Sequence, residues 1–185
     1  AGPVAVLING AGINFARPVA EVTAEDFDRV FAVNVRAAFL ATQAVCERMQ
    51  DEDRPGRVIN ITSGNYRYVR PDAGLYSATK SALEILTRSF ALEYGPSGIT
   101  VNAVAPGLMA REGASDADFL RVADYYQFNS PLQRIATGID VGEAALFLAS
   151  ARAGSITGET IVIDGGYSAG RFDFPRRSQW QVSQS

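Results

Sequence analysis

Val4-Ala5-Val6-Leu7-Ile8 runs directly into Asn9-Gly10-Ala11-Gly12. An apolar run without alternation, closed by glycines, is the pattern of a strand covered on both faces, and so of a parallel sheet. The pattern recurs along the chain. Arg57-Val58-Ile59-Asn60-Ile61-Thr62-Ser63, Ile99-Thr100-Val101-Asn102-Ala103-Val104-Ala105 and Thr160-Ile161-Val162-Ile163-Asp164 read as three more strands. Helical segments separate them. Thr23 is a candidate N-cap with Asp26 three residues later, and Val22 and Phe27 are placed for a hydrophobic staple. That helix is expected to run to about Met49. From Val30 to Val45 it is apolar almost all round, so it is either a core helix or one shared between the sheet and a partner subunit. A second helix is predicted from about Ala73 to Tyr94, stopped by Gly95-Pro96 with Gly95 as the left-handed cap. Residues 108–135 read as irregular to helical, and Ile139 to Ala149 as a short helix. Strands alternating with helices predict an α/β domain with a mainly parallel sheet and helices on both faces. Ligands in such sheets sit at the carboxyl ends of the strands. That rule places Asn9 to Gly12, Ser63 to Asn65, and Pro106-Gly107 on one rim.

Composition narrows the chemistry. The chain has 185 residues, 17 basic and 20 acidic side chains, no histidine and one cysteine. Without histidine there is no Ser-His-Asp triad and no H-E-x-x-H zinc site, and Ser63 also lacks a G-x-S-x-G setting. One cysteine, Cys46, excludes an internal disulfide, and no metal site is expected. A net charge of −3 and a pI near 5.0 weigh against a nucleic-acid-coating surface. A mean hydropathy of +0.01 suits a globular chain. No unbroken apolar run of bilayer length and no basic leader at Ala1 are visible, so neither a membrane nor a secretory route is expected.

Tyr76-Ser77-Ala78-Thr79-Lys80 puts a tyrosine and a lysine four apart, on one helix face. A free tyrosine titrates near pH 10, and a neighbouring ammonium favours the phenolate, so the pair suits acid/base work. Ser63, at the end of the preceding strand, is placed to donate to the same substrate oxygen. Taken alone, a Y-x-x-x-K pair is also an ordinary helix surface. Gly10-Ala11-Gly12 fails as a G-x-G-x-x-G phosphate turn, because Phe15 holds the third glycine position and the helix opens late.

Taken in order, Asn9-Gly10-Ala11-Gly12, Asn34 in N-V-R-A-A-F, Ser63 ahead of Tyr76 and Lys80, V-N-A-V-A-P-G at 101–107 and the closing I-D-G-G resemble the short-chain dehydrogenase/reductase family. The resemblance spans about residues 4–168. It implies a partial Rossmann-like, doubly wound parallel sheet in three α/β/α layers, with about four strands present. Residues 1–170 would be the C-terminal portion of one oxidoreductase domain, with 108–135 as its substrate-binding lobe and 171–185 as a polar tail. The implied reaction interconverts an alcohol and a ketone or aldehyde with NAD or NADP. Tyr76 would be the acid/base, and Ser63 would hold the substrate oxygen. Lys80 would bond the nicotinamide ribose and lower the Tyr76 pKa, and Asn34 would hold a relay water. Asn9, Gly10, Ala11 and Gly12 would lie near the adenosine ribose, and Pro106 and Gly107 beside the nicotinamide. A small-molecule substrate, a homodimer or homotetramer and a cytoplasmic location are implied with it.

The chain departs from the family pattern in three places. Gly10 replaces a usual Asn, and Arg111 stands where a Thr usually meets the carboxamide. The T-G-x-x-x-G-x-G pyrophosphate turn does not occur. A fragment or interaction module unable to bind nucleotide is therefore the rival expectation. With that region absent, Val4 to Ile8 would form an unpaired apolar edge. Of the other features, Cys46 reads as a core or interface hydrophobe, and Asn60-Ile61-Thr62 as a buried strand segment rather than a glycosylation site. Arg70, Arg111, Arg134 and Arg176-Arg177 are either solvated surface charge or ligands for an anionic substrate.

Overall fold

A computed structural model describes residues 2–110, 113 and 116–170. Arg111 and the 171–185 tail, with Arg176, Arg177 and Trp180, lie outside the described residues. Four parallel strands, β1 (Val6–Asn9), β2 (Gly56–Ile61), β3 (Ile99–Pro106) and β4 (Thr160–Ile163), form one sheet in the order β1-β2-β3-β4. The register pairs Leu7 with Val58, Val58 with Val101, and Val104 with Ile161.

Alternate residues of the strands serve opposite layers. Val58, Ile99 and Val101 pack with Cys46 and Met49 of helix α2 (Ala37–Asp51) and with Phe90 and Ala91 of α3 (Gly74–Tyr94). On the other face, Ile59 and Val104 meet Val141, Ala145 and Leu148 of α5 (Gly138–Ala149). β3 is buried along its whole length, as a central strand with both faces covered must be. This is the three-layer α/β/α arrangement expected from the sequence.

β1 departs from expectation. It begins at Val6 rather than Val4, and Val6 and Ile8 are 39% and 51% exposed. Leu7 packs under α2 and α3, but the opposite layer is α5, which sits over β2, β3 and β4. The run is apolar on both faces and covered on one.

Helix α1 (Ala24–Phe31) starts at a capping box: Thr23 Oγ1 accepts the Asp26 amide at 3.1 Å, and the Thr23 amide donates to Asp26 Oδ2 at 3.2 Å. Of the expected staple, Val22 packs into the cluster of Phe15, Val30 and Leu75, whereas Phe27 is half-exposed and stacks on Phe31. A π-helical turn, Ala32–Arg36, joins α1 to α2, making one helix from Ala24 to Asp51. Length and composition alone would let it cross a bilayer; here Val30, Cys46 and Met49 are buried in the protein core.

The end of α3 also differs from expectation. Gly95 keeps a helical φ of −53°, and Pro96 begins a 3-10 turn, Gly95–Ser97. The left-handed position falls to Gly98, at φ 73°. A proline is acceptable in the first turn of a helix, so Gly95-Pro96 continues the helix before it stops. In the 108–135 segment, α4 (Ala117–Asn129) is capped by Asp116, whose Oδ1 accepts the Phe119 amide at 2.7 Å. α5 opens at a second capping box, Thr137 with Asp140. The Arg134 guanidinium makes two bonds to the same Asp140 carboxylate, at 3.0 and 3.1 Å.

Candidate active site

Parallel strands aim their carboxyl ends at one rim, and a cleft of about 290 Å³ opens there. Gly10, Gly12, Ile61, Thr62, Ser63, Tyr76 and Lys80 line it. Pro106, Gly107, Met109 and Val141 line it as well. β2 delivers Ser63 just past its last residue, and α3 delivers Tyr76 and Lys80 from its first two turns.

Ser63 and Tyr76 line the same cleft, and Ser63 Oγ accepts the Asn65 amide at 3.3 Å. Lys80 is buried; its Nζ donates to the Ile61 carbonyl at 3.0 Å and lies 5.7 Å from the centre of the Tyr76 ring. Burial pulls Lys80 down to about 8. It also holds the Tyr76 phenol above its ordinary value, against the nearby Ser63 hydroxyl and the Arg70 charge, which act the other way. The expected lowering of Tyr76 by Lys80 is therefore not what the protein alone produces. The ammonium donates to the Ile61 carbonyl, and burial disfavours its charged form.

Asn34 lies at the centre of the π turn and is buried. Its Oδ1 accepts the Ile13 amide at 2.8 Å, and its Nδ2 donates to the Ile13 carbonyl at 3.0 Å and to Thr79 Oγ1 at 3.1 Å. Thr79 in turn donates to the Tyr76 carbonyl at 2.7 Å. Asn34 thus clamps the loop after β1 to the Tyr76 turn, with both amide hydrogens used inside the protein. Asn9 is also a fastener: its Nδ2 donates to Thr42 at 2.9 Å and to Asn60 at 2.8 Å. The side chains of Asn9, Ala11 and Asn34 do not line the cleft; Gly10, Gly12, Ser63, Tyr76, Lys80, Pro106 and Gly107 do. Met109 and Val141 carry no local mark of function, and Thr79 is inconspicuous inside Y-S-A-T-K.

The cleft suits a ribose. A methyl group on Gly12 would lie 3.4 Å from both Lys80 Nζ and Asn34 Oδ1, so glycine keeps the floor open in front of the ammonium. Lys80 spends one of its three N–H groups on Ile61, leaving two for vicinal hydroxyls.

A family model described as enoyl-(acyl carrier protein) reductase matches residues 1–168. The chain belongs to the short-chain dehydrogenase/reductase family. Among its relatives in that family, carbonyl reductase [NADPH] 2 of Sus scrofa is 37% identical over 172 residues, covering 91% of this chain and 69% of that protein. L-xylulose reductase of Homo sapiens is 37% identical over 169 residues, with 91% and 69% covered. Solved structures agree. ElxO with NADP bound superposes with a TM-score of 0.82 at 31% identity, over 90% of this chain and 68% of that one. 4-Hydroxyisoleucine dehydrogenase complexed with NADH gives 0.83 at 32% identity, over 90% and 70%. The fold is thus the Rossmann-like one of short-chain dehydrogenases and reductases, a family of nicotinamide-dependent oxidoreductases. The chain spans somewhat over two thirds of the length of these relatives.

Proposed function

We propose that this chain carries the proton-handling site of an NAD- or NADP-dependent oxidoreductase that interconverts an alcohol and a ketone or aldehyde. The observation that carries the reading is the convergence of Ser63, Tyr76 and Lys80 on one cleft at the carboxyl ends of the strands. When bound, the nicotinamide supplies or accepts the hydride. Ser63 and Tyr76 hold the substrate oxygen between their hydroxyls. In reduction Tyr76 Oη gives its proton to that oxygen; in oxidation it takes the proton back. Lys80 holds the ribose hydroxyls with its two remaining N–H groups, and Pro106 and Gly107 wall the ring side. Asn34 acts as a positioning residue, holding the Ile13 loop against the turn that bears Tyr76. Burial raises the phenol above its ordinary value, so Tyr76 rests as the protonated acid that the reduction step uses.

Replacing Tyr76 by Phe tests the assignment. Turnover, followed by nicotinamide absorbance with a panel of small ketones, should fall by about 10²–10⁴-fold. Nucleotide affinity should hardly change. Retained turnover would overturn the role of Tyr76. A second reading is a non-catalytic module unable to bind nucleotide by itself, since Gly10-Ala11-Gly12 lacks the third glycine of a phosphate turn. Titration with NADH and NADPH, watching nucleotide fluorescence, separates the two, since saturable binding supports the enzyme. The same proposal includes a cytoplasmic place of action and a homodimer or homotetramer joined through the 24–51 and 74–94 helices. Exposed Phe27, Leu40, Ile85 and Leu92 support that contact.

A further inference from the structure

Beside the Ser63–Tyr76 pair lies a larger groove, about 570 Å³, that the proton chemistry leaves unused. Its walls are Tyr68, Tyr125, Tyr126 and Tyr167, with Arg70 and Arg121 at the edge. The Tyr126 and Tyr167 rings stack with centres 4.4 Å apart, and Tyr68 meets Tyr167 at 5.5 Å. Three elements supply them: the loop after β2, helix α4 and the turn after β4. The groove abuts the proton site, because Tyr68 Oη approaches Gly64, the residue next to Ser63, within 3.4 Å of where a Cβ would stand.

The charges in this groove are unequal. Arg121 is paired with Asp118 at 3.3 Å. Arg70 makes no ion pair among the described residues, and its charge acts on the Tyr76 phenol. Burial raises the Tyr68 phenol and pushes Tyr167 up to about 12, so these two stay neutral. The groove therefore offers flat apolar walls, phenols and, in Arg70, a positive charge with no ion pair among the described residues, while the Asp164 carboxylate acts on Tyr68.

We propose that the groove binds the body of a ketone or secondary alcohol bearing one carboxylate, and that Arg70 selects such substrates by pairing with that carboxylate. One guanidinium matches a monoanion in a bidentate pair, and the phenols and ring faces hold a planar or apolar body. A phosphate dianion would be left half-neutralised here. The inference rests on the reading of Tyr76 as proton carrier, which makes this groove the substrate's side of the cleft.

Calorimetric titration of the full chain with 4-oxo-4-phenylbutanoate and with its methyl ester provides the test. The acid should bind about tenfold more tightly than the ester, as a charge-assisted pair implies. Arg70→Gln should abolish that preference and Arg70→Lys should restore part of it. Tyr125→Ala should weaken acid and ester alike. Equal affinities in the unaltered chain, no binding of either, or a preference that survives Arg70→Gln would each overturn the proposal. Tyr76→Phe keeps the two readings apart. The acid preference should persist in it while turnover disappears; if turnover persists, the proton-carrier reading falls while the titrations still decide the role of Arg70.

Discussion

At Gly107 the chain leaves β3 against the backbone of Asp164, and a methyl group there would stand 2.7 Å from Asp164 Cβ and 3.1 Å from its Cα. Asp164 has little room to yield, because its carboxylate accepts the Gly166 amide at 2.8 Å and the Ser168 amide at 2.9 Å. Gly107→Ala should therefore cost about 2 kcal/mol, the range of overpacked sites. Gly10→Ala meets only Ile61 at 3.9 Å and should change stability by less than about 0.5 kcal/mol. Urea titration of the two variants checks the contrast, and equal losses would contradict it. Lys80 supplies a pH prediction at the same scale. Folded, it releases its proton near pH 8; unfolded, it keeps it to the ordinary 10.5. Below pH 8 both states hold the proton, and between about 8 and 10.5 only the unfolded chain does, so the Lys80 contribution to stability rises through that window. Relative to a Lys80→Met variant, the unaltered chain should thus gain stability as pH climbs from 8 to 10.5. A pH-independent difference would show that Lys80 titrates alike in both states.

Helix 24–51 shows what an element can reveal that its sequence does not. A π turn needs only one extra residue in a turn, and a stretch apolar almost all round shows no stripe in its sequence for that residue to interrupt. Asn34 itself is legible as an unusual mid-helix residue, but its partners, Ile13 and Thr79, come from other elements. Asn34→Leu should strip the Ile13 amide and carbonyl of their partners and lower stability by about 2–3 kcal/mol. Hydrogen exchange at the Ile13 amide should accelerate more than at the strand amides, and unchanged protection there would refute the clamp. The same contrast between local and distant causes runs through the fold. Thr23 with Asp26 signals a helix start because the interaction lies within one turn. The order of strands and helices is likewise legible from apolar runs and turn residues. Gly95 misleads because whether a glycine before proline ends a helix depends on the next turn. The Val4 to Ile8 run shows apolarity, whereas coverage depends on α5, which packs over the other three strands. In the cleft, Ser63, Tyr76 and Lys80 are legible by spacing; Met109 and Val141 arrive from remote segments. The direction of the Tyr76 shift depends on burial, which no spacing encodes.

Across the whole molecule, the two ends of the sheet order have different surroundings. β1 pairs only with β2 among the described residues, and on its open face Val6 and Ile8 are exposed side by side. An apolar strand edge of this kind is a template for pairing with a second chain. A second surface competes with it: Ile85 and Leu92 on α3 are 58% and 80% exposed, on the helix expected to meet a partner subunit. The two surfaces make different predictions for the isolated chain without nucleotide. If the strand edge dominates, association should grow with concentration in sedimentation velocity. The Val6→Lys/Ile8→Lys pair should then suppress it, since lysines on an edge oppose pairing, while Ile85→Glu/Leu92→Glu should leave it in place. If the helix face dominates, the second pair of substitutions should dissociate a discrete dimer or tetramer and the first should not. The edge offers backbone groups and apolar side chains together and should give open-ended association, whereas the helix face offers side chains alone and should give the discrete oligomer proposed above. A monodisperse monomer with a cooperative melt would show that neither surface drives association and that β1 is stable with one neighbour.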